Sequence, residues 1–455
     1  MKGTTKVTLI RAALAIDGRW AIGRVPSTSD EIQLPTVVDP RDGTPRPYVP
    51  ATGLAGSLRR HLGDELATTW LGPEPPDWEE AEASGKARER VASRLVLVGT
   101  SLDWAGVNTR VEHRGVTSVD PERRAAHRGG LRTEEWNHPV TVTLAMTHED
   151  EADATLLDAL ESWTPTVGRA SSTGMGAAHI KRVEHLTLDL RDANEFTWWL
   201  NQRNLWLLGA DTEALPATAR STVVDVDDKP RSGASWSIGW EVREPLHIGS
   251  GDNSPAEPTS GSQVQHTMTV GGKPLIPGSS WKGVVRGRVE TILSLIDAPR
   301  KSELINHLFG STQHGRGLLG FEDSVVEPNS IPGGKLQNRT HVAIDRFTGG
   351  ARDGGLFVVE AVPAKTPLTL TIRSDHPLPE PVRNLLRHVF RDINDGLIGV
   401  GGMVTRGYGG LQLATRSDAE PVGRPVPIDI AALEALLVAP TDTEPDGTER
   451  EGEEQ

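Results

Sequence analysis

The sequence predicts an α+β protein built from two tandem copies of one βαββαβ unit, the ferredoxin-like plan, each copy carrying an inserted hairpin. Three observations predict it. The first is an internal repeat: Pro50-Ala51-Thr52-Gly53-Leu54-Ala55-Gly56-Ser57-Leu58-Arg59 recurs as Pro277-Gly278-Ser279-Ser280-Trp281-Lys282-Gly283-Val284-Val285-Arg286, 227 residues further on. The second is that two more segments repeat in the same order at nearly the same spacing. Ala21-Ile22-Gly23 matches His247-Ile248-Gly249, and Val167-Gly168 through Gly174-Met175-Gly176 matches Val400-Gly401 through Gly407-Tyr408-Gly409. The third is hydrophobic periodicity, which runs through strand, helix, strands, helix and strand in the same sequence in both copies.

The elements follow in order. An opening strand (6–15; 235–243) leads through a Gly/Pro/Ser-rich loop into a helix, striped by Leu54, Leu58, Leu62 and Leu66 in the first copy. In the second copy the stripe is Trp281, Val284, Val285, Val289, Ile292, Leu293 and Ile296. Thr52, and Ser279 or Ser280, are the expected N-caps. A β-rich section ends in the alternating runs 140–146 and 368–372. A second helix is carried by Leu156, Leu157, Leu160 and Trp163, and in the other copy by Val382, Leu385, Leu386, Val389, Phe390 and Ile393. A glycine-rich turn and a last strand close each copy. The expected organisation is 1–191 as a first, diverged domain, 192–234 as a connection partly structured around Trp198, Trp199 and Trp206, 235–420 as the second domain, and 421–455 as an extension. The end of that extension, with seven acids and one base between Thr441 and Gln455, is expected to be disordered.

Composition excludes several functions. The chain has 455 residues and a formal charge of -14, which argues against a simple basic glove for nucleic acid. It has no cysteine, so disulfides, thiolate metal sites and cysteine nucleophiles are ruled out, and a reducing cytoplasm fits. No apolar run approaches the ~20 residues of a membrane span. Aromatic residues make up 4%, too few for rows of stacking rings or for an RRM-type reader.

Three segments carry chemistry. The turn Pro274 to Gly283 opens a helix whose N-terminus suits a phosphate, and Lys282 in its first turn would be explained by a nearby anion. Gly399 to Gly410 holds many glycines around Arg406, Gly407 and Gly409, as positive φ or a closely approaching backbone requires; the first copy keeps Arg169 and Gly174. Thr340 to Phe357 reads as a hairpin with Arg346 at its tip, and Asn108 to Leu131, with Arg114, stands in the same place in copy one.

Pro-Leu-Ile-Pro-Gly-Ser-Ser-Trp-Lys-Gly-Val-Val-Arg, Ile-Asp-Arg-Phe-Thr-Gly-Gly-Ala and Gly-Gly-Met-Val-Thr-Arg-Gly-Tyr-Gly together resemble the signatures of the RAMP superfamily, specifically the backbone subunits of type III CRISPR effector complexes. The resemblance implies two domains lined up along a guide RNA (crRNA) that pairs with target RNA, beside other effector subunits in a filament. Each domain would have a thumb hairpin that displaces a nucleotide. It also implies guide-backbone contacts at Ser279, Ser280, Lys282, Arg286, Arg346, Arg406, Gly407 and Gly409, and in copy one at Thr52, Arg59, Arg114, Arg169 and Gly174.

Active relatives cut target RNA with an Asp in the loop before the Pro-Gly-Ser-Ser helix and a divalent metal, Mg or Mn. Here Gln33 stands at the aligned position, so Asp30 is the implied catalytic and metal-binding acid and Asp39 the second choice. Copy two has no acid there. Whether the chain is an enzyme stays open. The alternative is a guide-processing endoribonuclease of the same superfamily using a His general base.

Overall fold

The computed structural model describes residues 5–23, 38–39, 46–73, 92–103, 107, 111–120, 125–226, 234–255, 263–311, 315–374, 377–414 and 426–437. Residues 74–91, Asp30 and Gln33, and the whole acidic tail expected to be disordered (441–455) lie outside the described residues.

Two antiparallel sheets organise the chain. The first is built on β1 (Lys6–Ile16), which is followed by α1 (Ala51–Leu71), β2 (Leu95–Asp103), the paired β3 (Glu112–Asp120) and β4 (Ala125–Trp136), β5 (Val140–Glu149), α2 (Ala154–Ser162) and β6 (Ala178–Asp189). Two further elements, α3 (Ala193–Leu207) and β7 (Arg220–Asp225), extend it. The sheet order is β2-β5-β1-β6-β7. In the second sheet β8 (Ala234–Val242) is the first strand. Next come β9 (Gly249–Pro255), β10 (Gln263–Thr267), α4 (Gly278–Leu295), α5 (Lys301–Phe309), β11 (Gly320–Phe321), β12 (Gln337–Ile344), β13 (Ala351–Ala361), β14 (Pro367–Ser374), α6 (Glu380–Asn394), β15 (Leu411–Leu413) and α7 (Ile430–Ala435). The order there is β11-β14-β8-β15. In both sheets the βαββαβ strands therefore lie second, third, first, fourth, the order of the ferredoxin-like plan, with β7 added to the edge of the first.

Alternation in β1 explains why two layers form. Ile10, Ala12, Leu14 and Ile16 are buried on the face covered by α1 and α2, with Leu54, Leu58, Leu144, Leu156 and Trp163 in the same core. Leu9 points to the other face, where it packs with Leu186, Leu188, Trp198 and Trp206. The helix α3 that supplies these Trp residues, capped by the Asp192 carboxylate accepting from the Asn194 and Glu195 amides, thus forms a third layer in the stretch expected as a connection. In the second core Trp240 and Trp281 stack with centroids 6.5 Å apart, enclosed by Val285, Leu370, Leu386 and Phe390.

The helix starts differ from expectation. The N-caps are Pro50 and Pro277, at φ -62, ψ 132 and φ -61, ψ 143, and neither Thr52 nor Ser279 or Ser280 caps its helix through a side chain. The Gly278 amide instead donates to the Asp323 carboxylate at 2.8 Å. A serine one or two residues inside the helix has no amide ahead of it to reach, whereas Asp323, beside β11, faces the helix end. Gly63, at φ 71, breaks α1; α4 and α5 are the matching break in the second unit.

His148, His185, His247, His307 and His341 are all held below the ordinary imidazole pKa, in each case first by burial. Groups whose folded pKa is depressed give stability that is present above the unfolded value, about 6.5, and lost as pH falls through the folded values. The thermal midpoint should accordingly begin to fall as pH drops below about 6.5, ahead of the carboxylate range. Replacing His247, buried with its ring bonded to the Glu360 carbonyl at 2.7 Å, with Gln should flatten that fall. Melting curves at three pH values read it directly.

Candidate nucleic-acid interface

The two glycine-rich loops share one backbone. Val167 N donates to Gly176 O at 2.7 Å, and Val400 N to Gly409 O at 2.9 Å. Arg169 N donates to Ala21 O, as Gly402 N does to His247 O; Gly176 N donates to Arg19 O, as Gly409 N does to Pro245 O. A 3-10 turn follows in both, Ser171–Thr173 and Val404–Arg406. Positive φ falls at matching places: Gly168, Ala170, Gly174 and Gly176, then Gly401, Met403, Gly407 and Gly409. Two of these glycines are required by their own turn, because a Cβ would lie 1.9 Å from the Val167 carbonyl oxygen at Gly176 and 2.1 Å from that of Val400 at Gly409.

Surroundings separate the loops. The first is pressed against the second unit: a Cβ on Gly174 would lie 2.5 Å from Glu322 Cα, and one on Gly278 would lie 2.5 Å from the Thr173 carbonyl oxygen. Lys282 Nζ donates to Ser172 Oγ at 2.8 Å, and Arg316 Nη1 to Thr166 Oγ1 at 3.1 Å. Burial, and Arg286 beside it, push the Lys282 ammonium below its usual pKa. Arg114 from β3 reaches across to the same joint, 3.7 Å from Asp323 and 3.4 Å from Met268 Sδ, while Arg19 pairs with Glu112 at 2.8 Å. Burial lowers the Arg19 pKa against the pull of Glu112.

Several residues expected to hold RNA are thus engaged within the protein. Lys282, Gly174 and Arg114 build the joint. Arg169 Nη2 donates to the Glu135 carbonyl at 2.8 Å, its guanidinium over the Trp136 ring. Arg59 closes the end of α1 on the carbonyls of Leu71 and Gly72, and Arg286 pairs with Glu290 at 2.9 Å on α4. Thr52 lines a groove of about 460 Å³ between α1 and β2 together with Arg59, Ser93, Leu71, Leu95 and Val96. Ser279 is exposed and Ser280 half-buried on the first turn of α4. Asp39 pairs backbone to backbone with Arg46 in a two-residue strand.

What remains open to solvent is the rim of the second unit. The strands β12 and β13 form the expected hairpin, in a sheet of order β9-β10-β13-β12, and turn through residues 345–350. Asp345 organises the turn by accepting from the Phe347 and Thr348 amides, which holds its carboxyl below the usual range. This turn presents Arg346, and Phe347 at 97% exposure. At the base of the hairpin the exposed Arg406 lies 5.7 Å from the Phe357 ring, and Arg339 lies 5.6 Å from that of Tyr408. His341 sits between them, stacked on Phe357 and 2.6 Å from the Tyr408 hydroxyl. Burial, then Arg406 and Arg339, keep its imidazole neutral to lower pH. Sequence reasoning passed over Arg339, His341 and Phe357. The available signal was the two-residue spacing of Arg339 and His341 along a strand.

Such a rim offers guanidinium forks for phosphate and, at Phe347, an exposed ring face for a base, the means by which single-stranded RNA is held. Among the described residues no helix is long and apolar enough to cross a membrane, and no three His, Asp or Glu side chains gather as a metal site. No curated protein matches the chain. Residues 241–412, the span from the end of β8 to β15, match the family model of the RAMP superfamily, a match that supports membership of that superfamily and, at the level of the family, CRISPR-associated RNA binding.

Proposed function

We propose that the chain is a guide-RNA-binding backbone subunit of a type III CRISPR effector complex, its two units being tandem RAMP domains at successive positions along the guide. The observation that carries this reading is the open rim of the second unit, where Arg406 of the glycine loop and Arg339 of the hairpin share one face below an exposed Phe347. Arginines there would hold backbone phosphates, and Phe347 is the wedge a thumb needs to part neighbouring bases. The test is purification of the complex from cells carrying a guide array. Guide RNA protected along its length supports the reading; release of unit guides from a precursor overturns it. That second outcome belongs to the processing endoribonuclease, for which His341, held by Tyr408 beside two guanidiniums, is the imidazole available as base.

Target cleavage by the first unit rests on Asp30, or on Asp39, with Mg or Mn. With labelled target RNA and Mg, Asp30→Ala should lower cutting by about 100-fold or more while target binding persists. Cutting that survives Asp30→Ala moves the activity to Asp39 or to another subunit.

A further inference from the structure

We propose that the loop Gly399–Gly410 is a docking surface for a different polypeptide, one that presents a helix starting with glycine and carrying lysine four residues later. The inference rests on reading the two units as repeats, and it adds the partner's chemistry. The first loop shows what this backbone does when occupied. Its 3-10 turn receives the start of α4, with Ser172 accepting from Lys282 and the Thr173 carbonyl, beside that of Phe321, filling the space left by the absent side chain of Gly278, while Gly174 faces Phe321 and, just beyond β11, Glu322.

The second loop repeats the turn, the positive-φ positions and the hydrogen bonds, and its residues 404–407 are exposed. Thr405 stands in the place of Ser172 with a hydroxyl that can accept from an ammonium. Gly407 stands in the place of Gly174, and a Cβ built there meets nothing within 4 Å, where one on Gly174 strikes Glu322. Val404, Thr405 and Gly407 are all exposed. The Arg406 guanidinium lies over the Phe357 ring of β13, 5.7 Å from its centroid.

A second copy of the same chain does not fit. Its first unit would offer the start of α1, where Ala51 and Ala55 occupy the positions of Gly278 and Lys282. The Ala51 methyl would enter the space that the loop carbonyl fills at Gly278, and Ala55 has no ammonium to donate. A joint lacking one hydrogen bond and carrying one clash is selected against relative to a partner with glycine and lysine.

The test is to replace Thr405 with p-benzoylphenylalanine in the full chain, purify the assembled complex from cells, irradiate it, and sequence the crosslinked peptides. The expected peptide comes from another polypeptide and begins a helix with glycine followed four residues later by lysine. Gly407→Asn should lower its yield by about tenfold, equivalent to 1.4 kcal/mol, because asparagine accepts the left-handed backbone while its side chain occupies the docking face. An unchanged melting temperature for Gly407→Asn shows that the loop still folds. A crosslink to residues 51–59 of a second copy, to a peptide without that glycine and lysine, to RNA alone, or to nothing overturns the proposal. RNA content measured on the same preparation is a separate readout: a complex devoid of guide RNA counts against the proposed function and leaves the joint standing.

Discussion

Trp281→Ala should destabilise the second unit by about 3–5 kcal/mol, the range for removing a fully buried aromatic side chain. The indole has no exposed surface, stacks on Trp240, and donates from Nε1 to Ser324 Oγ at 2.8 Å. Truncation leaves a cavity beneath the start of α4 and strips Ser324, itself buried, of a donor. Because α4 also receives the first loop, the joint should loosen with it. Urea unfolding followed by Trp fluorescence would measure the loss; a shift under 1 kcal/mol would show that the core collapses around the gap, as cores do to varying extent.

The triple variant Arg339→Ala, Arg346→Ala, Arg406→Ala should lose guide RNA without losing its fold. All three side chains are exposed, where substitutions stay within about 0.5 kcal/mol of the parent stability. Each phosphate contact on a single strand contributes about 0.7 to the slope of log affinity against log salt, so three lost contacts should make that slope shallower by about 2. Titrations from low to moderate salt give the slope. A weaker affinity with an unchanged slope would mean that these arginines touch bases and not phosphates. Phe347→Ala supplies the contrast, since it removes a ring and no charge: affinity should fall while the slope stays the same.

How much was readable beforehand depended on whether a constraint was local. The glycines at 168, 174 and 176 and their counterparts 233 residues on are demanded by backbone geometry, so the repeat and the strand order it organises were visible in residue types alone. The role of Gly174 was not, because Gly174 and Gly407 share φ near +77 and differ only in what lies opposite. Lys282 drew attention as a cation on a helix's first turn, and its hydrogen-bond partner within the chain is a serine hydroxyl 110 residues away in sequence, which no local pattern announces. Likewise Asp323 caps the Gly278 amide across 45 residues, a pairing no local capping pattern announces. The stretch that forms α3 was read as a connection partly structured around Trp198, Trp199 and Trp206, and its place as a layer was not legible because it has no counterpart in the second unit and the repeat said nothing about it.

The joint between the loop at 171–174 and the start of α4 closes within a single chain, and only eight residues separate Asp225 at the end of β7 from Ala234 at the start of β8. Two separate subunits would form such a contact at a rate and extent set by their concentrations. A short tether instead holds the partners at an effective concentration in the millimolar range, so dilution leaves the joint closed. The ratio of the two units is fixed at one to one whatever the level of expression, and their order along any assembly is fixed with it. In the proposed filament, growth beyond the pair would start from a preformed two-unit seed, and the concentration-dependent step would move to the far end of the molecule.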